Sequence, residues 1–195
     1  MGSYTRPASG RFQFARRSGG FTMVELVIVL LLVGILGAIG VARFFSRSGF
    51  DTAAFAEQSA GMLRYAQKVA IAQNRPVYVL ASVQGIKLCF KNTSECAGAD
   101  RVRAPSGSNS GSAAARSFCT VGGAYVTSWN CEAVPDGAAI TLGGAKAVSF
   151  YFNGLGRPYA GADTADSSFT GLTLTVKGDD LTRTITIERE TGYVY

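Results

Sequence analysis

Hydrophobic and polar positions divide this 195-residue chain into three stretches. Residues 1–20 are polar and carry Arg6, Arg11, Arg16 and Arg17 without an acid. At Phe21 the chain turns apolar all at once. The stretch GGFTMVELVIVLLLVGILGAIGVARFF has no charge from Leu26 to Ala42, and one carboxylate, Glu25, sits just inside its start. At 1.5 Å per residue, roughly 20 apolar residues cross a bilayer core of about 30 Å, so residues 21–45 predict a transmembrane helix. A second pattern comes next. Phe55, Ser59, Met62, Ala66, Val69 and Gln73 recur at a 3-4-3-4 spacing, flanked by Leu63 and Ala70, while Glu57, Arg64 and Lys68 fall elsewhere. That is an amphipathic helix whose apolar stripe forms half of a core. Asp51 or Thr52 is its expected cap, Gly49 a soft hinge before it, and Asn74-Arg75-Pro76 its end. The remainder alternates with period two. It predicts strands at Val77–Val83, Ile86–Phe90, Tyr125–Trp129, Ala147–Phe152, Leu172–Lys177 and Thr184–Glu188, with a short piece at Tyr193–Tyr195. Gln84-Gly85 reads as a tight hairpin. Residues 97–117, rich in Gly, Ser and Ala, read as a flexible surface loop. A helix followed by an antiparallel meander is an α+β arrangement.

Charge and cysteine content refine this picture. The net charge is +6, but the leader's four arginines account for most of it. Basic residues before an apolar segment hold that end in the cytoplasm, and the segment then delivers the downstream chain to the periplasm. Disulfides form there. The four cysteines, Cys89, Cys96, Cys119 and Cys131, are spaced C-x6-C and C-x11-C, without the C-x2-C knuckles of zinc ribbons. Two structural disulfides are expected. Of the three connectivities, the local pairing Cys89–Cys96 and Cys119–Cys131 is preferred, and a metal site or reactive thiols are the alternatives. Glu25 stands out, because a carboxylate in a membrane helix costs about 2.5–3.5 kcal/mol on insertion scales and calls for a partner. The alternative is an interfacial acid that stays among the headgroups. Gly34, Gly37 and Gly40 form either a smooth strip for close helix approach or ordinary glycines of a membrane helix.

No catalytic constellation emerges. There is no histidine, which removes the commonest general base and metal ligand. Asp179 and Asp180 are adjacent and suit a turn better than an acid/base pair. With Asp163 and Asp166 they offer oxygens for a calcium ion, but no EF-hand spacing supports one. Gly154-x-Gly156 lacks the remainder of a dinucleotide loop. Arg101, Arg103 and Arg116 in the 97–117 segment are candidates for neutralising DNA phosphates, with Tyr125 or Trp129 stacking on bases. The plainer reading is that these arginines keep a Gly/Ser loop solvated. The expectation is a non-enzyme with no cofactor and no metal, for which nucleic acid is an unlikely partner.

The apolar core follows Gly19-Gly20 instead of preceding it, the reverse of a secretory signal. This order resembles type IV pilin-like proteins with a class III prepilin signal. The resemblance implies a prepilin peptidase that cuts between Gly20 and Phe21 and methylates the new Phe21 amine. An uncleaved signal anchor is the alternative. It implies a cleaved leader at 1–20, a transmembrane and assembly helix at 21–45, and a periplasmic domain at 46–195, helical to about residue 74. The implied pilin fold is a long N-terminal helix whose C-terminal half packs on an antiparallel sheet. Glu25 would then pair with the Phe21 amine of an adjacent subunit, offsetting the cost of burying either charge alone. Many pilins carry proline where this chain has Ala42, so its early helix is expected to be straighter. RYAQKVAIAQNRPVYV, SFYFNGLGRP and TITIERETGYVY resemble the GspH/FimT-like class. ARFF, GLGRP and ETGYV are most similar to minor pilins of the mannose-sensitive haemagglutinin (MSHA) pilus. The implied function is a minor pilin anchored once in the inner membrane and then assembled with other pilin or pseudopilin subunits. The alternatives are a minor pseudopilin of type II secretion and a FimT-like pilin that binds DNA for uptake.

Overall fold

The computed structural model describes residues 21–44, 47–93, 96–178 and 181–195, with side chains described outside 38–48. The leader expected over 1–20, Gly20 included, and the Asp179-Asp180 turn lie outside the described residues. The chain divides into an amino-terminal unit that ends at Phe44 and a second unit that begins at Phe45.

The described part of the first unit is one helix, α1 (Met23–Phe44), 22 residues rich in Leu, Val and Ile. Thr22 caps it: the Glu25 N–H donates to Thr22 Oγ1 at 3.2 Å, and the Leu26 N–H donates to the Thr22 carbonyl at 3.1 Å.

The second unit opens with α2 (Arg47–Gln73). It begins earlier than expected, so Asp51 and Thr52 lie inside it and Gly49 is helical. Thr52 is fully buried and faces Gly178. The end of α2 follows from its sequence. Asn74 takes the left-handed conformation at φ +46°, the Arg75 N–H donates to the Ala70 carbonyl and the Asn74 N–H to the Ile71 carbonyl. These are the two bonds of a Schellman motif, and Pro76 follows it.

Among the described residues, ten strands complete the unit: β1 (Val77–Ser82), β2 (Gly85–Cys89), β3 (Thr120–Val121), β4 (Ala124–Tyr125), β5 (Cys131–Ala133), β6 (Ala138–Leu142), β7 (Ala147–Phe152), β8 (Pro158–Ala160), β9 (Leu172–Gly178) and β10 (Leu181–Ile187). They form a five-stranded sheet in the order β5-β2-β1-β7-β8, a three-stranded sheet β10-β9-β6, and the ribbon β3-β4. All pairings are antiparallel. On β1, Val77, Val79 and Ala81 are buried while Tyr78, Leu80 and Ser82 are half-buried, the alternation that the pleat imposes. Helix α2 packs on both larger sheets. Its Phe55, Met62, Leu63, Ala66 and Val69 share one core with Val77, Val79, Phe150, Phe152, Leu174 and Ile187. The expected apolar stripe is therefore core, apart from the exposed Gln73. The fold class is α+β, with antiparallel sheets packed on a helix.

The segment 97–117 is mostly exposed, as expected, but it is tied into the fold instead of forming a free loop. Arg101 bridges to Cys89 and Arg103 to Trp129, which draws Val102 and Ala104 inward. The short helix α3 (Ala113–Phe118) comes next, capped by Ser112 Oγ accepting from the Ala115 N–H at 3.0 Å. The strand expected at Tyr125–Trp129 is limited to β4, which shares only Tyr125 with it, and β3, β5, β6 and β8 are not predicted by the sequence pattern.

Candidate functional site

Helix α1 is apolar on every side. Its large side chains from Met23 to Leu36 are exposed around the whole circumference; Met23 is 88% exposed and Leu36 67%. A helix hydrophobic all round belongs in a bilayer or among other apolar helices, and soluble monomers do not carry a continuous exposed patch of this extent. A Cβ placed on Gly34 or Gly37 meets nothing within 4 Å, so this chain itself does not require those glycines. Among the described residues no helix is long and apolar enough to cross a membrane, the described side chains of α1 stopping at Gly37. Glu25 lies in the first turn, exposed, where a carboxylate complements the partial positive charge of the helix end. Thr22-x-x-Glu25 is the sequence of a capping box, and the Thr22 half of it is formed. Phe21, 79% exposed, precedes the cap.

Residues 15–41 match the family model described as the prokaryotic N-terminal methylation motif. The chain is thereby similar to type IV pilins. Over 61 residues the chain is 36% identical to PilA5, the type IV narrow pilus major component of Thermus thermophilus, a match covering 31% of this chain and 53% of that protein. The chain thus spans about half the length of the curated relative it matches. Among solved structures, two crystal forms of the type IV minor pilin FimU of Pseudomonas aeruginosa align with TM-scores of 0.45 and 0.41. They are 13% and 12% identical to this chain, and the alignments cover 77% and 73% of it and 90% and 89% of FimU. At that level the likeness carries no argument about this chain.

The structure separates the candidate DNA-binding residues. Arg101 and Arg103 line one cleft beside Tyr65 and Phe90, whereas Arg116 sits on α3 and donates from Nε to the Gly111 carbonyl at 2.9 Å. Trp129 is no stacking platform. It is fully buried, and its Nε1 donates to the Leu88 carbonyl at 2.9 Å. Tyr125 is half-buried and donates its hydroxyl proton to Asn109 Oδ1. Trp129 belongs to a second core with Cys89, Cys96, Ala115, Cys119 and Cys131. Within it the cysteines pair locally, Cys89 with Cys96 and Cys119 with Cys131, with Cα atoms 5.6 and 5.8 Å apart.

The three sequence phrases from the second unit meet in space. Gln67 of α2 donates from Nε2 to the carbonyls of Gly156 and Thr191, each at 2.8 Å. Arg157 pairs with Glu190 at 2.9 Å, and Asn153 Oδ1 accepts from the N–H groups of Leu155 and Arg157 at 3.0 Å. Gly192 has φ +70°, and a Cβ there would lie 2.8 Å from both the Gly156 carbonyl and the Phe152 ring. GLGRP and ETGYV are thus the two jaws of a clasp closed by Gln67, a packing role. Gln67→Ala leaves two carbonyls short of a donor and is expected to cost about 1–2 kcal/mol. The midpoint of urea unfolding reports it.

Asp163 also closes a turn. Its carboxylate accepts from the Ser168 N–H and Oγ and from the Ala160 N–H, at 2.7 to 2.8 Å. These bonds, the Ser168 N–H foremost, hold its pKa below the usual aspartate value. Glu188 is lowered in the same way, chiefly by the Thr191 N–H. A depressed folded pKa gives stability that is present above the unfolded value and lost as pH falls through the folded one. Asp163→Asn is therefore expected to lower the melting temperature at neutral pH. The gap to the parent chain should close as pH falls from the ordinary aspartate range through the lowered folded pKa, where the folded parent's carboxylate takes up its proton. Thermal melts across that range check the convergence.

Proposed function

We propose that this chain is a minor pilin of an MSHA-type pilus. The leader is removed after Gly20, Phe21 becomes the methylated N-terminus, and α1 holds the subunit in the inner membrane by a single pass. Assembly then moves α1 from lipid into a bundle of like helices, where Glu25 meets the Phe21 amine of a neighbour. Prepilin peptidase and other pilin subunits are the partners, and the second unit stands in the periplasm and later on the filament surface. One coincidence supports this most. The methylation-motif match at 15–41 falls on the segment where an all-round apolar, uncovered helix starts two residues after Phe21. A soluble fold has no use for such a helix, whereas a helix that is first lipid-embedded and later packed among copies needs apolar groups on every side. The MSHA type rests on ARFF, GLGRP and ETGYV.

Mass spectrometry of the native protein tests the processing. A mature chain that begins at N-methylated Phe21 is expected, and a chain that still begins at Met1 ends the reading. A pilin operon of MSHA type around the gene is the expected neighbourhood. A type II secretion cluster would move the subunit to a pseudopilus.

A further inference from the structure

The second unit holds a cleft of about 490 Å³ between α2 and the segment 104–109, of a size for an amino acid or dipeptide. Its chemistry comes from β5 and the residue before it. Cys131 turns into the disulfide cluster, so period-two alternation places Asn130 and Glu132 together on the opposite face, and both line the cleft. Glu132 is only 3% exposed. Its oxygens accept from the Ser110 N–H and Ser110 Oγ, each at 2.6 Å, and it pairs with no cation among the described residues. Asn130 is 4% exposed, and its Nδ2 has no hydrogen-bond partner. Lys68 and Arg64 of α2 both line the cleft, exposed and in no ion pair among the described residues, although the Arg64 Nε is committed to the Val194 carbonyl at 3.2 Å.

Three demands stand open in one cavity. A buried carboxylate is costly unless a cation reaches it, and two neutral donors offset only part of that cost. A buried amide N–H without an acceptor carries its own desolvation penalty. A lysine at the mouth favours an anion. We propose that this cleft binds a small zwitterion bearing a primary ammonium and a carboxylate, of amino-acid or dipeptide size. The ammonium goes to Glu132, and the carboxylate to Asn130 Nδ2 and Lys68. A neutral polyol supplies acceptors for Asn130 but leaves the Glu132 charge unpaired. A simple cation does the reverse.

The test uses the full-length protein in detergent micelles, labelled with nitrogen-15, with glycylglycine as the probe. A saturable shift of the Asn130 side-chain amide resonance is expected at millimolar peptide. N-acetylglycylglycine, which lacks the ammonium, is expected to bind about tenfold or more weakly, as is glycylglycine to E132Q. K68A is expected to weaken binding by a smaller factor. No saturable shift, or equal binding of the acetylated and free dipeptides, overturns the proposal. The comparison of the two dipeptides is made on the unaltered chain, so it holds even where E132Q fails to fold.

Discussion

Under the proposed assembly role, Glu25→Ala is expected to remove this chain from filaments while leaving the second unit folded. Two roles for this carboxylate predict very different magnitudes. As a first-turn acid it complements the helix end, worth about 0.3–1 kcal/mol, a loss that would lower occupancy by a few-fold at most. As the counter-charge to a neighbour's Phe21 amine, its removal strands an ammonium among apolar helices. Breaking a buried pair that way costs about 3–5 kcal/mol, a hundredfold or more in an assembly equilibrium. Glu25→Gln separates them further, since it keeps the side-chain length and hydrogen-bonding capacity and loses only the charge. Under the pairing role it is excluded like Glu25→Ala; under the capping role it assembles nearly normally. Immunoblots of sheared filaments against whole-membrane levels give the measurement. Incorporation at the unaltered level for either variant sinks the pairing.

The sequence made α1 and α2 readable for different reasons. In α1 composition alone suffices, since a run from Leu26 to Ala42 without a charge has few other uses. In α2 the 3.6-residue period marks Phe55, Met62, Leu63, Ala66 and Val69 as the buried face, and the structure buries them. Strands β1, β2, β7, β9 and β10 were legible because they alternate or carry runs of β-formers. Strand β5 was not. All three of its residues are buried, Cys131 in the disulfide cluster and Glu132 against the cleft, so it has no exposed phase to mark it. Strand β6 begins Ala-Ala, and β8 has three residues, too few for a period. Segment 97–117 was legible only in part. Gly and Ser suggest solvent, but Val102 and Ala104 are fixed by bridges to β2 and to Trp129, contacts distant in sequence. The same limit hid the Asn130–Glu132 cleft, for its second wall belongs to α2. The methylation motif at 15–41 was the opposite case, a signal carried by consecutive residues.

Trp129→Ala is expected to be the most damaging single change in the second unit. The indole is fully buried, and it sits where both disulfides and α3 converge. Truncating a buried Trp to Ala costs about 3–5 kcal/mol. The Leu88 carbonyl also loses the Nε1 donor, about 1 kcal/mol more. Against a total stability of about 5–15 kcal/mol that loss is large enough to leave a substantial unfolded fraction. Trp129→Phe retains most of the ring volume and loses the donor, so it should fall well short of the alanine variant. The disulfides set the second half of the expectation. Cys119–Cys131 closes a separation of 12 residues beside the indole, and removing a native disulfide from a small domain typically costs about 2–5 kcal/mol. Because Trp129 packs in the same cluster, the two losses should not add. Once Cys119 and Cys131 are both alanine, Trp129→Ala should cost at least about 0.5 kcal/mol less than in the oxidised parent. Urea unfolding of the four chains of that cycle measures the coupling. Strict additivity, or a Trp129→Ala cost below about 1 kcal/mol, would show that α3, the β3–β4 ribbon and the disulfides do not act as the second core through which the segment 97–131 is held to the sheet.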